Sequence, residues 1–324
     1  MTAQKVTVTR KIPDAGIDLL KAEGYELNFN DEDRALSREE LLDAVREADA
    51  VLCMLHDRID QEVIDAAPNA KVFSNYAVGY NNIDLDACRA ANRRVTNTPG
   101  VLTDATADTA FTLLMAAARC VVESDQYLRA GKWTGWSPML FLGADITGAT
   151  LGIVGAGRIG KATAERGAHG FGMKILYTRG KGKDPLPDWE ESMDARMVDL
   201  DTLLAESDFV SIHCPYMDST RHLIGKESFK KMKKSAVLIN TARGPIVDEV
   251  ALIEALKSGE IAAAGLDVYE EEPKIAPGLT DLPNTVLLPH LGSATVHTRD
   301  AMATLAAKNL IAILKGEEPP HAVV

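Results

Sequence analysis

The sequence predicts an α/β protein of two domains, each built on a mostly parallel sheet, and three observations carry that reading. Short apolar runs alternate with amphipathic stretches along most of the chain, the pattern of strands joined by helical crossovers. A glycine fingerprint, Gly155-Ala156-Gly157-Arg158-Ile159-Gly160, lies mid-chain, so a separate unit precedes it. The length of 324 residues suits two domains, which commonly run about 100–200 residues each. Hydrophobic residues at 46% and charged residues at 25% can fill a core, and they exclude disorder as the default state.

Taken in order, 5–9, 26–29, 50–55, 71–75 and 94–98 read as strands, and 13–23, 37–48, 61–66 and 85–91 as helices. Thr98-Pro99-Gly100 breaks the pattern and is a candidate hinge. One long helix is expected next, with Thr103 as N-cap and an apolar run from 105 to 122, continuing to Gly131. The following stretch holds Trp133, Trp136, Met139, Leu140, Phe141 and Leu142 and is too apolar for a free loop. Core packing and an arm that contacts a second subunit fit it equally well.

The second unit runs over 150–289, with strands expected at 151–154, 174–177, 197–198, 209–213, 236–240, 263–268 and 285–288. Residues 180–187 read as a surface loop. Residues 293–314 read as a helix that returns to the first unit, with a second hinge at Leu288-Pro289. The expected domains are therefore 1–99 with 291–324, discontinuous, and 100–290.

An apolar strand precedes the fingerprint and a helical stretch follows it, which is the context of a Rossmann dinucleotide-binding turn. The first glycine makes the turn, the second lets backbone approach a pyrophosphate, and the third lets helix pack on strand. The pyrophosphate then sits on the positive helix N-terminus. In an NAD site an acidic residue roughly 20 positions on accepts the ribose 2′-hydroxyl. Here the next strand ends in Tyr177-Thr178-Arg179. Thr178, Arg179 and Lys181 suit a 2′-phosphate, so NADP(H) is the expected preferred cofactor, with NAD(H) still admissible.

The formal charge of -12 argues against nucleic-acid and anionic-membrane partners. No apolar run reaches membrane-span length, and no signal-peptide core opens the sequence; a cytoplasmic location is expected. An anionic substrate must then be held by local arginines or backbone amides. Cys53, Cys88, Cys120 and Cys214 form no metal-type pair and read as reduced thiols. Cys214, before Pro215 at a strand end, is conceivable as a nucleophile, but no activating base stands out near it.

Hydride delivery to a carbonyl needs a proton donor for the developing alkoxide and a cation for the substrate. Arg243, at the strand-to-turn junction Asn240-Thr241-Ala242-Arg243-Gly244, can grip a carboxylate with two parallel bonds; a surface salt bridge is the plainer alternative. Of the seven histidines, His290 and His213 both end strands. His290 is the expected acid/base, and His213 reads as a structural residue beside the cofactor. A carboxylate partner would favour the charged imidazole. Glu270, Glu271 and Glu272 all offer one, and the residues alone do not choose among them.

These segments in this order resemble the NAD(P)-dependent D-isomer-specific 2-hydroxyacid dehydrogenase family: the mid-chain fingerprint, the Ala242-Arg243-Gly244 turn, Asp267-Val268-Tyr269 running to Glu272-Pro273, and Pro289-His290 running to Gly292-Ser293. The resemblance implies a flavodoxin-like substrate domain beside the Rossmann cofactor domain. It implies that Arg243 binds the substrate's carboxylate and carbonyl, that Glu272 pairs with His290, and that His290 is the acid/base. The loop 75–84 resembles the family's carboxylate loop, whose Val78 and Gly79 amides would hold the acid. Cofactor contacts are implied for Thr106, Gly155, Ala156, Gly157, Arg158, Ile159, Thr178, Arg179, Gly180, Lys181, Cys214, Pro215, Thr241, Ala242, Asp267, His290, Gly292 and Ser293.

Within the family the sequence looks most like the glyoxylate/hydroxypyruvate reductases. Trp133 to Gly143 resembles their dimer arm, in which Trp136 would reach into the partner's site, and Leu55 matches their apolar wall. Most other members carry aspartate where Thr178 stands, and Pro215-Tyr216-Met217 departs from the commoner Pro-Leu-Thr. The resemblance therefore implies NADPH-dependent reduction of a small 2-keto acid, glyoxylate and hydroxypyruvate, by a homodimer joined through its cofactor domains. Dehydrogenation of D-lactate, D-glycerate or phosphoglycerate is the alternative within the class, and a non-catalytic dinucleotide-sensing corepressor is the alternative outside it.

Overall fold

The computed structural model describes residues 3–324. It resolves into two units, 1–102 with 293–324, and 103–292. The first unit begins β1 (Lys5–Val8), α1 (Asp14–Ala22), β2 (Glu26–Phe29), α2 (Arg38–Val45), β3 (Ala50–Cys53), α3 (Gln61–Ala66), β4 (Val72–Asn75), α4 (Leu85–Ala90) and β5 (Arg94–Thr96). Its sheet is wholly parallel in the order β2-β1-β3-β4-β5, the flavodoxin-like order. β3 and β4 are buried at every position, as strands covered on both faces must be. Val51, Ile59, Val63, Phe73 and Val95 centre the core.

The second unit holds α5 (Thr103–Ala118), α6 (Val121–Arg129), β6 (Thr150–Val154), α7 (Arg158–Phe171), β7 (Lys174–Thr178), α8 (Pro187–Met193), β8 (Ala195–Met197), α9 (Leu200–Glu206), β9 (Phe209–Ile212), α10 (Lys226–Phe229), β10 (Val237–Asn240), α11 (Glu249–Ser258), β11 (Ala263–Leu266) and β12 (Thr285–Leu287). All seven strands run parallel in the order β12-β11-β10-β9-β6-β7-β8. Counted from β6, that is the doubly wound order 3-2-1-4-5-6 with one strand added beyond the sixth. Two apolar clusters cover its faces, one around Leu203, Phe229 and Leu252, the other around Phe111, Ile153 and Tyr177.

The last helix, α12 (Val296–Lys315), is capped by Thr295, whose hydroxyl accepts from Thr298 N, and belongs to the first unit. It packs tightly on α1: a Cβ at Gly16 would lie 2.7 Å from Ala303 O. The chain end then joins β5, with Val95 N donating to Val324 O at 3.1 Å.

Four expectations need correction. The expected helix from 103 to 131 is two helices bent by 62°. Cys120 takes the left-handed conformation with φ 50°, and the carbonyl of Ala118 accepts from Ala144 N at 2.8 Å, so the first helix cannot propagate. Thr103 is the first helical residue and not the cap. The units part at 102/103 and 292/293, not at 99/100 and 290/291; Gly292 stays with the second unit because its amide is bound there by Asp267. The loop expected over 180–187 ends in α8, which opens with proline at its first position, where the missing N–H costs nothing.

Candidate active site

The three glycines of the fingerprint each meet the constraint expected of them. Gly155 has φ 102°, and a Cβ there would lie 2.6 Å from Cys214 N. A Cβ at Gly160 would lie 2.3 Å from Gly155 O and 2.9 Å from Ile153 Cγ2, so α7 and β6 pack closely only through glycine. Nothing lies within 4 Å of a Cβ at Gly157, which leaves this turn open to a ligand. Gly157 caps α7 without a side-chain hydrogen bond, and the first-turn amides of Arg158 and Ile159 have no capping oxygen. Such an open, uncapped N-terminus fits a pyrophosphate. Ala156 N is held by Thr178 O at 3.1 Å, which ties the turn to the end of β7.

Beyond that end, Arg179 donates to Asp184 O, closing the loop that carries Gly180 and Lys181. Tyr177 anchors the loop from inside: its hydroxyl accepts from Leu186 N at 2.9 Å and donates to Glu190 Oε1 at 2.9 Å. No carboxylate follows Thr178 directly, so the loop offers cations to the place where an NAD site has an acid.

Arg243 stands on a turn shaped by Asn240 at the end of β10. Asn240 Oδ1 accepts from Ala242 N at 3.0 Å, and its Nδ2 donates to Arg243 O at 2.9 Å; one side chain thus serves as donor and acceptor for the turn. The guanidinium donates to Ala242 O at 2.8 Å. Burial lowers its proton affinity, with the Glu272 charge opposing that effect. Thr241 keeps a buried hydroxyl with no protein partner. A buried polar atom left unpaired suits a ligand contact.

Gly244 brings the Arg243 turn against the glutamate-bearing loop, since a Cβ there would lie 1.9 Å from both the carbonyl carbon and oxygen of Tyr269. That loop resolves the choice among the glutamates. Glu272 Oε2 lies 2.8 Å from His290 Nδ1, and Glu272 Oε1 accepts from Tyr269 N at 3.0 Å. Glu270 pairs with His222 instead. Burial alone would raise the Glu272 carboxyl; the His290 bond and charge, the Tyr269 amide and the Arg243 charge outweigh it and hold it below the usual range. Glu272 is an anion at neutral pH.

His290 itself has φ 56°, an unusual conformation for a residue with a side chain, of the kind that persists where surrounding structure fixes it. Asp267 supplies that fixing, because its two oxygens accept from Leu291 N at 2.6 Å and Gly292 N at 2.7 Å. Burial raises the Asp267 carboxyl, against the two amides and the His290 charge. Thr106 lies beside the same turn, its Oγ1 3.6 Å from where a Gly292 Cβ would sit. The rival, His213, is bonded to Ser211 Oγ at 2.8 Å, and burial takes its pKa down to about 3. It is neutral at physiological pH and carries no proton to donate as an imidazolium. Burial also pushes the Cys214 thiol up to about 11, which removes it as a nucleophile; exposed Pro215 follows it.

Leu55, Val78, Gly79 and Ser293 belong to the first unit. Leu55 is half-buried, next to a turn in which Met54 N donates to buried Asp57 at 2.7 Å. The carbonyls of Val78 and Gly79 are both held by asparagine side chains, Asn97 at 2.8 Å and Asn75 at 2.9 Å. In the aromatic stretch, Trp136 is 84% and Met139 74% exposed, so core packing is excluded within the chain.

Several residues that shape the site escape a reading by residue type. Asn240 was legible only as part of the strand-to-turn junction, and Asp267 was implied as a cofactor contact, not as the group that holds the turn after His290. Glu249, buried at the start of α11, accepts from Glu270 N at 2.6 Å and Ala276 N at 3.3 Å; it anchors both ends of the glutamate loop and gave no signal beyond an acid in a first helical turn.

Comparison with known proteins agrees with this geometry. The family model described as D-isomer specific 2-hydroxyacid dehydrogenase, NAD binding domain, matches residues 111–292. A glyoxylate reductase of Thermococcus litoralis is 51% identical over 323 residues, covering 98% of this chain and 96% of the relative. A crystal structure of a protein from Thermus thermophilus superposes with a TM-score of 0.92 at 45% identity, covering 99% of this chain and 100% of the other. That of an NADPH-dependent glyoxylate/hydroxypyruvate reductase from Sinorhizobium meliloti, in complex with NADP and malonate, gives 0.86 at 31% identity, covering 100% and 97%. A fingerprint built to hold a dinucleotide, an arginine turn locked on a Glu–His pair, and likeness along the whole length have one source: the chain belongs to the D-isomer specific 2-hydroxyacid dehydrogenase family.

Proposed function

We propose that this protein reduces glyoxylate to glycolate, and hydroxypyruvate to D-glycerate, with NADPH as preferred cofactor. The observation that carries the reading is the Glu272–His290 pair at 2.8 Å. With Nδ1 turned to the carboxylate, Nε2 is the nitrogen left to serve a substrate. Support for the substrate comes from the glyoxylate reductase relative at 51% identity, and for the cofactor from the loop of Thr178, Arg179 and Lys181 together with the NADP-bound relative.

When bound, the reduced nicotinamide supplies a hydride to the keto carbon. Gly157 and the first-turn amides of α7 would hold the pyrophosphate, and Thr241, Ala242 and the His290–Gly292 turn would hold the rest of the cofactor. Arg243 binds the acid and polarises its carbonyl oxygen, in keeping with the bidentate geometry of guanidinium. The amides of Val78 and Gly79 hold the carboxylate. As negative charge develops on the carbonyl oxygen, His290 Nε2 donates its proton there, and the hydroxy acid results. Glu272 keeps the ring oriented through its 2.8 Å contact with Nδ1. Glyoxylate and hydroxypyruvate are small enough for a wall made by Leu55.

A homodimer formed through the cofactor domain completes the proposal, with the exposed arm 133–143 lying on the second copy. The test is steady-state reduction of a panel of 2-keto acids with both cofactors. Glyoxylate and hydroxypyruvate are expected at the head of the panel, with higher kcat/KM for NADPH. A preference for NADH contradicts the reading of Arg179 and Lys181.

A further inference from the structure

The loop 77–80 of the first unit shows an arrangement that two substrate-binding amides do not account for. Three successive carbonyls are taken by donors from the ends of β4 and β5: Ala77 O by Thr98 N at 2.9 Å, Val78 O by Asn97 Nδ2 at 2.8 Å, and Gly79 O by Asn75 Nδ2 at 2.9 Å. The peptides are trans, and in a trans peptide the N–H of the next residue points opposite to the carbonyl. The amides of Val78, Gly79 and Tyr80 are thereby turned away from the strand ends. None of the three donates to another group among the described residues.

An extended strand alternates its amides from side to side, whereas here three in a row are turned away from the donors that hold their carbonyls, an arrangement that suits an anion. Val78 and Gly79 are half-buried and Tyr80 is exposed. The donors are themselves fixed. Asn75 and Asn97 are buried, at 0% and 8% exposure; the Asn97 carbonyl accepts from Asn309 Nδ2 at 3.0 Å, and Asn75 also bonds Asn82 at 3.2 Å. Asn82 in turn donates to Met54 O and Asp57 O, both at 3.1 Å, and so ties the loop to the turn beside Leu55.

We propose that Asn97 and Asn75 are positioning residues that hold three consecutive peptides of this loop in one orientation, so that Tyr80 N–H joins those of Val78 and Gly79 in a nest for the substrate carboxylate. The inference rests on the reading of this loop as the carboxylate site. It also answers the charge balance: on a protein of net charge -12, fixed peptide dipoles attract the acid without a further cation.

The experiment measures KM for glyoxylate, KM for NADPH, kcat, and competitive inhibition by oxalate, for the wild type and for Asn97→Asp, Asn97→Ala and Asn75→Asp. The aspartate variants are near-isosteric and replace a donor with an oxygen that repels the carbonyl. Melting temperature identifies the folded variants, and Asn75→Asp reports on a different carbonyl should both Asn97 variants unfold. The expected result is a rise of about tenfold or more in glyoxylate KM and oxalate inhibition constant together, the size of one misplaced hydrogen bond. NADPH KM stays near wild type, and kcat falls less than glyoxylate KM rises.

Unchanged glyoxylate KM in a folded variant overturns the positioning role. So does a parallel loss of NADPH affinity and kcat, which marks a merely structural effect. A wild type in which oxalate does not compete with glyoxylate overturns the underlying reading, a result distinct from either of the others.

Discussion

At the scale of single residues, function depends on which ionisable groups carry a proton at neutral pH. His213 and His290 both end strands, and only their surroundings distinguish them. His213, desolvated to a pKa of about 3, is neutral when folded and protonates readily when unfolded near the ordinary histidine value of about 6.5. The unfolded state therefore binds more protons between those values. The stabilising contribution of neutral His213 is present above about pH 6.5 and is lost as pH falls toward about 3, by up to a few kcal/mol. Chemical denaturation at about pH 7 and about pH 4.5 checks this, with a smaller loss expected in His213→Gln than in the wild type.

For Glu272, the bond to His290 and its charge help hold the carboxyl below its usual range, so the carboxylate keeps its grip on the ring at neutral pH. Glu272→Gln is expected to lower kcat for glyoxylate by about tenfold or more through a misoriented His290 ring, as read in steady-state assays; an unchanged kcat denies Glu272 its role.

At the scale of elements, the site is a set of strand-end turns held by short polar bonds and by glycines where backbones touch. Gly244 is the tightest case, since a Cβ at 1.9 Å from the Tyr269 carbonyl cannot be accommodated without moving the loop that carries Glu272. Gly244→Ala is expected to lower kcat by at least about tenfold through misplaced Glu272, whereas Gly170→Ala, whose Cβ meets nothing within 4 Å, leaves kcat near wild type. The loop after β7 gives a second prediction. Tyr177→Phe removes the hydroxyl that bonds Leu186 N and Glu190, and is expected to raise KM for NADPH more than KM for NADH. Equal changes would show that the loop does not read the 2′ position.

This is also the scale at which sequence is most and least legible. The strands and the fingerprint were readable because apolar periodicity and glycine spacing are local. The bend after Ala118 was not, because it depends on Ala144 returning from far along the chain to take a helical carbonyl. Likewise Arg243 and His290 were identifiable by type at strand ends, while choosing Glu272 over its two neighbours took resemblance to a family. The geometric reason lies in how the 269–276 loop closes on Glu249.

At the scale of the whole molecule, a chain that leaves its first unit near 102 and returns to it at 293 carries the cofactor-binding unit as one continuous insertion. Its surface keeps an apolar arm uncovered: Trp133 is 55%, Trp136 84% and Leu142 65% exposed. Such a contiguous patch marks an interaction surface. Sedimentation is expected to give the mass of two chains, and Leu142→Asp to shift it toward one; a wild-type monomer would contradict the arm reading. The proposed reaction takes its proton from His290, and the single-turnover rate of NADPH oxidation by glyoxylate in wild type and His290→Ala probes that proposal at its core. Turnover is expected in the wild type, with a loss of about 10²–10⁴-fold in the variant. A rate in His290→Ala close to wild type would contradict the assignment.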